Sequence, residues 1–105
     1  MKFLMIYTTL PDRATTEKVS KTLIKENLVA CVNFFSIESI YRWKNKLCED
    51  KEYALIMKTR KSLYGKVEKK LKELHPYEIP AIVSYEIKDG LSDYLSWIKE
   101  ETKEK

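Results

Sequence analysis

The sequence predicts one α+β domain with the element order β-α-β-β-α-β and a further helix at the C-terminus. The chain has 105 residues, which is enough for one small domain and too few for two. Its apolar residues alternate between extended runs and helically spaced stripes in that order, with no internal repeat or linker. Such an order gives a four-stranded antiparallel sheet with both long helices on one face. We therefore assign residues 1–105 to a single domain.

The first two elements are a strand and an amphipathic helix. Residues 2–9 form a nearly continuous apolar run, which is typical of a strand that is covered on both faces. Asp12 follows a proline and is a suitable helix N-cap. Apolar side chains then recur at helical spacing, with lysines on the other faces, so we predict a helix over residues 13–27.

The next two strands form a long hairpin. Residues 28–41 are the longest extended candidate, and Trp43 follows directly. Residues 44–46 are a polar break in which Asn45 suits a left-handed turn, and residues 52–59 are the returning strand. A hairpin of this length would overhang a small domain. Its apolar side chains would face water unless a partner covers them.

The second half of the chain repeats the helix–strand pattern. Ser62 is a suitable N-cap for a helix whose apolar stripe consists of Leu63, Val67, Leu71 and Leu74. We interpret the lysines between them as a solvated face rather than a nucleic-acid site. Prolines within residues 75–80 end this helix and begin an extended segment. Residues 81–87 form the last strand, and a short helix starting near Leu91 leads into a charged tail.

Composition limits the classes of function. Hydrophobic residues make up 44% of the chain, which indicates a folded domain rather than a disordered one. No apolar run approaches the roughly 20 residues of a membrane helix, and no secretory signal opens the sequence, so we expect a cytoplasmic protein. The net charge is +4, with basic and acidic residues interleaved, so we expect neither nucleic acid nor membrane as partner.

The predicted sheet would leave one apolar face uncovered in a monomer, because both long helices lie on the other face. Burying such a face against further copies of the chain is the simplest way to remove it from water. We therefore expect a homo-oligomer.

The densest cluster of possible chemistry is His75-Pro76-Tyr77-Glu78-Ile79-Pro80, which holds an imidazole, a phenol and a carboxylate within four residues. His75 stands at a predicted helix C-terminus, where the helix dipole favours a protonated imidazole by about 0.3–1 kcal/mol. It can cap the last turn, or it can bind a metal such as copper, zinc or nickel. One histidine makes no closed site, so further ligands have to come from elsewhere in the fold or from another subunit.

The cysteines and the aromatic pair of the hairpin are further candidates. Cys31, in an apolar strand, is typical of a small buried residue, whereas Cys48 is expected to be exposed and more reactive. Neither has a histidine nearby in sequence, and no GxSxG, HExxH or Walker motif occurs, so we expect no catalytic turnover. Tyr41 and Trp43 flank Arg42 and can form a cation–π cluster, a ligand platform or an interface anchor, of which we favour the last.

Several segments together carry a family resemblance. They are Leu28–Asn33, Ser39–Trp43, Glu52 with Lys58 and Thr59, His75–Pro80, and Tyr94–Ile98. In this order and spacing they resemble the CutA divalent-cation tolerance family over nearly the whole chain. The resemblance implies a ferredoxin-like subunit with a long β2–β3 hairpin, assembled into a tight homotrimer whose architecture is similar to that of PII signalling proteins. It also implies binding of copper or another divalent metal ion and a link to metal tolerance.

The resemblance also supplies candidate site residues. Metal binding in the family is attributed to positions matching His75 and Cys31, among others, and Glu78 is a carboxylate in the same turn as the histidine. The clefts between subunits would be lined further by Tyr41, Trp43, Glu52, Lys58 and Tyr77.

The chain departs from the family pattern at two places. Ala81 stands where members often have glutamate, and Thr8 and Lys70 stand where some have cysteine. A site in this chain would therefore be a hard one of imidazole, carboxylate and phenol groups. We predict a homotrimer that binds divalent metal ions, with copper as the expected metal. The alternative is a PII-like module that holds a small anion in the same clefts through Lys58, without a physiological metal.

Overall fold

The computed structural model describes residues 1–103 and confirms the predicted order of elements. They are β1 (Phe3–Leu10), α1 (Arg13–Lys25), β2 (Cys31–Trp43), β3 (Lys46–Arg60), a 3-10 turn (Lys61–Leu63), α2 (Tyr64–Leu74), β4 (Ile82–Ile87) and α3 (Ser92–Glu101). The end of the predicted charged tail, residues 104–105, lies outside the described residues. Within residues 1–103, none of the helices has the length and apolar character needed to span a bilayer.

The four strands form one antiparallel sheet in the order β2-β3-β1-β4. Strand β1 ends at Leu10, opposite Tyr53, so the earlier part of β3 pairs only with β2. We call this projecting hairpin, residues 37–52, the arm. It accounts for the elongated shape of the molecule, which measures 45 Å along its longest axis. The overhang predicted from the sequence is therefore confirmed.

Helices α1 and α2 pack on the same face of the sheet, as predicted. The core between them and the strands is formed by Leu4, Ile6, Leu10, Val19, Leu23, Val29, Leu55, Met57, Val67 and Leu71. Side chains alternate along each strand, so residues between these core positions point to the opposite face. We call that surface the open face. It includes Phe35 and Tyr85, which are 50% and 62% exposed.

Helix α3 covers one end of the open face. The Arg60 guanidinium donates from Nε to Thr102 Oγ1 at 2.9 Å and from Nη2 to the Thr102 carbonyl at 2.7 Å. Arg60 lies directly opposite Phe3 on the open face, and α3 packs against β3 there. The face is therefore less completely uncovered than the sequence predicts, because the last helix folds back over its end.

Asp12 is the N-cap of α1, as predicted, since its Oδ1 accepts a hydrogen bond from the Thr15 N–H at 2.7 Å. Two later boundaries in the first half of the chain, the end of α1 and the start of β2, differ from the prediction. The helix ends at Lys25 rather than at residue 27, because Asn27 adopts a left-handed conformation with φ 57°. The Leu28 N–H then donates to the Leu23 carbonyl, which reverses the chain and delays the start of β2 to residue 31.

Two further boundaries are corrected by backbone conformation. Lys44 and Asn45 both adopt positive φ, 49° and 64°, and form a two-residue hairpin turn. Such a turn matches the twist of paired strands, so β3 begins at Lys46 rather than at residue 52. Ser62 is not the N-cap of α2. It lies inside the 3-10 turn, and α2 begins at Tyr64 without a side-chain cap.

Candidate functional site

A cavity of about 570 Å³ lies between the arm and the segment that follows α2. Its lining residues are Tyr7, Thr9, Ser39, Tyr41, Trp43, Asp50, Glu52, Pro76, Tyr77, Glu78, Ile79 and Ala81. The volume falls within the range of small-molecule sites. Its place follows from the sheet: β3 continues past the end of β1, and the segment 75–81 folds over the exposed step.

Glu52 is the most enclosed charged residue of the cavity. Its side chain is 8% exposed, and its Oε1 accepts a hydrogen bond from the Tyr77 hydroxyl at 2.7 Å. Within residues 1–103 no lysine, arginine or histidine forms an ion pair with it. Burial, followed by the hydrogen bond to the carboxylate, raises the pKa of Tyr77. The phenol therefore stays protonated at neutral pH and holds the carboxylate in place.

A second phenol–carboxylate pair lies further along the arm. The Tyr41 hydroxyl donates to Asp50 Oδ2, which links the two strands of the hairpin. This hydrogen bond is the largest cause that raises the pKa of Tyr41 to about 12. Asp50 and Glu52 are two residues apart on β3, so their side chains point to the same face about 7 Å apart. The cavity thus presents two neighbouring carboxylates, each of which accepts a phenolic hydrogen bond.

His75 lies at the start of the segment that closes the cavity, outside the lining. Its Nδ1 accepts a hydrogen bond from the Tyr77 N–H at 3.3 Å, so the ring proton is on Nε2. Nε2 lies 3.2 Å from Thr8 Oγ1, to which it donates. Burial lowers the pKa of His75. The sequence predicted that the helix dipole would favour the protonated ring, but desolvation of the half-buried imidazole outweighs that effect.

The neutral state of His75 predicts how stability depends on pH. A folded-state pKa below the ordinary value near 6.5 means that folding favours the neutral ring. The contribution is complete above about pH 6.5 and is lost as the pH falls through the folded pKa. We expect the free energy of unfolding to fall between about pH 7 and pH 5 in the wild type, and to fall less in His75→Gln. NMR titration of the imidazole gives the pKa directly, and a midpoint at or above 6.5 would contradict the prediction.

Comparison with known proteins decides the family. A family model described as the CutA1 divalent ion tolerance protein matches residues 4–101. The Pyrococcus horikoshii divalent-cation tolerance protein CutA is 47% identical over 100 residues, covering 95% of this chain and 98% of that protein. The chain belongs to the CutA1 family.

Solved structures of CutA proteins have the same fold. Pyrococcus horikoshii CutA1 superimposes with a TM-score of 0.93 at 46% identity, covering 96% of this chain and 99% of that one. The Archaeoglobus fulgidus protein, described as a periplasmic divalent cation tolerance protein CutA, has a TM-score of 0.95 at 36% identity, with 96% and 99% coverage. The predicted fold class is therefore confirmed.

The two principal metal ligands implied by the CutA resemblance lie apart in one subunit. Cys31 is on the open face, opposite Lys58, which in turn lies opposite Met5. His75 instead contacts Thr8, whose side chain points to the helix-covered face. Met5 and Thr8, the residues of β1 that are level with Cys31 and His75, are three positions apart, which corresponds to roughly 10 Å along the strand. Within the described part of the chain, no group of three or more His, Cys, Asp and Glu residues could hold a metal ion.

The cysteines also differ from their predicted environments. Cys31 is half-buried rather than buried, and its Sγ lies 4.0 Å from the Lys58 Nζ. Cys48, predicted to be exposed, is half-buried as well. Its partner across the hairpin is Tyr41, and its Sγ donates to the Lys46 carbonyl at 3.8 Å. Packing within the arm explains the partial burial, because directly opposite residues share a face.

Most of the predicted cleft residues come together in the cavity. They are Tyr41, Trp43, Glu52, Tyr77 and, at the rim, Glu78. Lys58 does not join them: it is six residues from Glu52 along β3, about 20 Å away. It donates instead to Asn33 Oδ1. Lys58 and Glu52 therefore lie on the same face of β3 but far apart along it.

Several lining residues were not predicted from the sequence. Asp50 is the most important of them, and Tyr7, Thr9 and Ser39 complete the floor. A signal for Asp50 exists in the hairpin register. Once the turn is placed at residues 44 and 45, Asp50 lies opposite Ser39 on the same face as Tyr41. For Tyr7 the alternation of β1 predicts only that its side chain is on the open face. That residues 76–81 lie over it depends on the tertiary fold.

Proposed function

We propose that this CutA1-family chain forms a homotrimer that binds divalent metal ions between subunits, with copper as the expected metal. The observation that supports it most directly is the segment 75–80, which carries the neutral imidazole of His75 at the edge of the cavity and the carboxylate of Glu78 at its rim. Neutral imidazole is the form that binds metals. Because one subunit holds no complete ligand set among residues 1–103, the remaining ligands would come from a second copy.

The open face supports the assembly. Val83 and Tyr85 of β4 are 44% and 62% exposed, and Phe35 of β2 is 50% exposed. These apolar side chains share one surface, which in a monomer would face water. Burial against further copies would stabilise the folded subunit, since apolar area contributes roughly 25 cal/mol per Å² removed from water. Cys31 lies on this face too, so an adjacent copy can bring it near a metal that His75 of the first copy binds.

The role that follows is cation binding in metal homeostasis rather than catalysis. Relatives are named divalent-cation tolerance proteins, and we propose the same role here. The cytoplasmic location stays a prediction, since one structurally similar CutA is described as periplasmic. The small-molecule alternative, an anion held through Lys58 in the clefts between subunits, gains support from the cavity. Within one subunit Lys58 lies about 20 Å from Glu52 and the lining is acidic, so the anion would need the Lys58 of another copy.

Copper titration tests the metal proposal. We expect wild-type protein to bind Cu²⁺ and His75→Ala to bind it at least about tenfold more weakly, because the imidazole is lost. Glu73→Ala, which removes an exposed acid two residues before His75 on α2, is the matched control and should keep wild-type affinity. The measurement is made in a Cys48→Ser background, so that the arm thiol does not contribute. Equal affinity of the His75 and Glu73 variants would remove His75 from the site.

A further inference from the structure

The floor of the cavity has a charge that the rest of the fold leaves uncompensated. At the rim, Glu78 Oε2 lies 3.8 Å from the Lys44 Nζ, so these two charges offset each other. Asp50 and Glu52 have no ion-pair partner among the described residues 1–103. A buried carboxylate without a counter-ion is costly, and the cost is largest for Glu52, which is 8% exposed. A cation that binds in the cavity would compensate the negative charge and so remove this cost.

We propose that the cavity binds a linear aliphatic diammonium ion, with one ammonium on Glu52 and the other on Asp50. The two carboxylates stand two residues apart on one face of β3, about 7 Å. A chain of about four methylene groups separates two ammonium groups by a similar distance. This inference is independent of the metal proposal, since it uses carboxylates of a single subunit rather than His75.

Glu52 is arranged to receive such a donor. Its Oε1 already accepts from the Tyr77 hydroxyl, whereas its Oε2 has no donor within the described chain. An ammonium group has three donors. It could therefore bond to Glu52 Oε2 and, at the same time, to a neighbouring hydroxyl oxygen such as that of Tyr77.

The walls suit the alkyl part and the charge of the same ligand. Tyr7, Tyr41, Trp43 and Tyr77 bring four aromatic rings to the cavity. Aromatic faces attract ammonium groups and pack against methylene groups. The structure contains one example of this contact, since the Lys44 Nζ lies 5.7 Å from the centroid of the Trp43 ring. The Trp43 ring thus already contacts one alkylammonium group, that of Lys44.

Other ligand classes fit the floor less well. An anion would meet Asp50 and Glu52 without a lysine or arginine in the lining. A metal ion would need at least three donors, and the described residues bring together no such group of His, Cys, Asp and Glu. The two phenols are also poor ligands, because the pKa values of Tyr41 and Tyr77 are raised and keep them protonated.

The proposal is tested by calorimetric titration of the full chain with small ligands, in a buffer that contains a chelator to exclude metal ions. The probes are 1,4-diaminobutane, 1-aminobutane and 1,4-butanediol, which share a four-carbon chain and carry two, one and no positive charges at neutral pH. We expect the diamine to bind at least about tenfold more tightly than the monoamine, and the diol not to bind. Glu52→Gln and Asp50→Asn should each reduce diamine affinity to that of the monoamine. Glu49→Gln is the matched control, because it removes the same charge from the opposite face of β3.

Three results would overturn the proposal. One is equal affinity for diamine and monoamine, which would mean simple charge attraction. Another is an equal loss in Glu49→Gln, which would place the ligand outside the cavity. The third is no diamine binding to wild type, including the case in which a lysine of a neighbouring copy occupies the cavity. If Glu52→Gln unfolds, the exposed Asp50→Asn variant still decides the test. Copper titration of His75→Ala is unaffected by any of these outcomes.

Discussion

We expect Leu55→Ala to lower the free energy of unfolding by about 2–5 kcal/mol. Leu55 is fully buried in β3 and belongs to the core cluster formed with α1, α2 and the sheet. Truncation removes buried methyl groups and leaves a cavity that the packed elements around it cannot fill. The measurement is denaturant unfolding at one fixed protomer concentration, because assembly makes stability depend on concentration.

Leu47→Ala is the matched control. Leu47 is the same residue type on the same strand and the same side of the sheet, but it is 72% exposed at the far end of the arm. We expect a change within about 0.5 kcal/mol. If both leucine variants lost similar stability, the core would not be confined to the part of β3 that the helices cover.

Assembly is the second property for which we expect a large effect. Light scattering at micromolar concentration should give a particle of three times 12.5 kDa for the wild type. Phe35→Glu should reduce it to one protomer, because it places a charge in the middle of the apolar open face, where Phe35 lies opposite the fully buried Ala54. A buried charge without a partner opposes association.

Ile24→Glu is the control for this effect. Ile24 of α1 is 43% exposed, close to the 50% of Phe35, but it lies in the helix layer on the other side of the sheet. This variant should remain a trimer. A stable wild-type particle of 12.5 kDa would contradict the proposed assembly and, with it, the metal site between subunits. The diammonium site, which one subunit supplies, would not be affected.

Element order was predictable because hydrophobic period is a local property. The continuous apolar run of β1 and the stripe that contains Val67 and Leu71 identify a strand and a helix without knowledge of the fold. Element ends were less predictable. The left-handed conformations at Asn27 and Lys44 decide where α1 ends and β3 begins, and no apolar pattern marks them.

The candidate site shows the same division. Family resemblance brought Tyr41, Trp43, Glu52 and Tyr77 forward, and the structure places all four around one cavity. It also grouped Lys58 with them, whereas within one subunit the rise of β3 places that lysine about 20 Å from Glu52. Residues that share a face can still be far apart along it, so a set of cleft residues does not define a single pocket.

Residue spacing alone therefore establishes which elements form, in which order, and which side of each strand is apolar. Only the folded chain decides that Tyr77 reaches Glu52, 25 positions away, and that burial keeps His75 neutral. The physical reason is one of range. Periodicity depends on neighbours within a few residues, whereas desolvation and charge compensation depend on groups that come together only when distant segments pack.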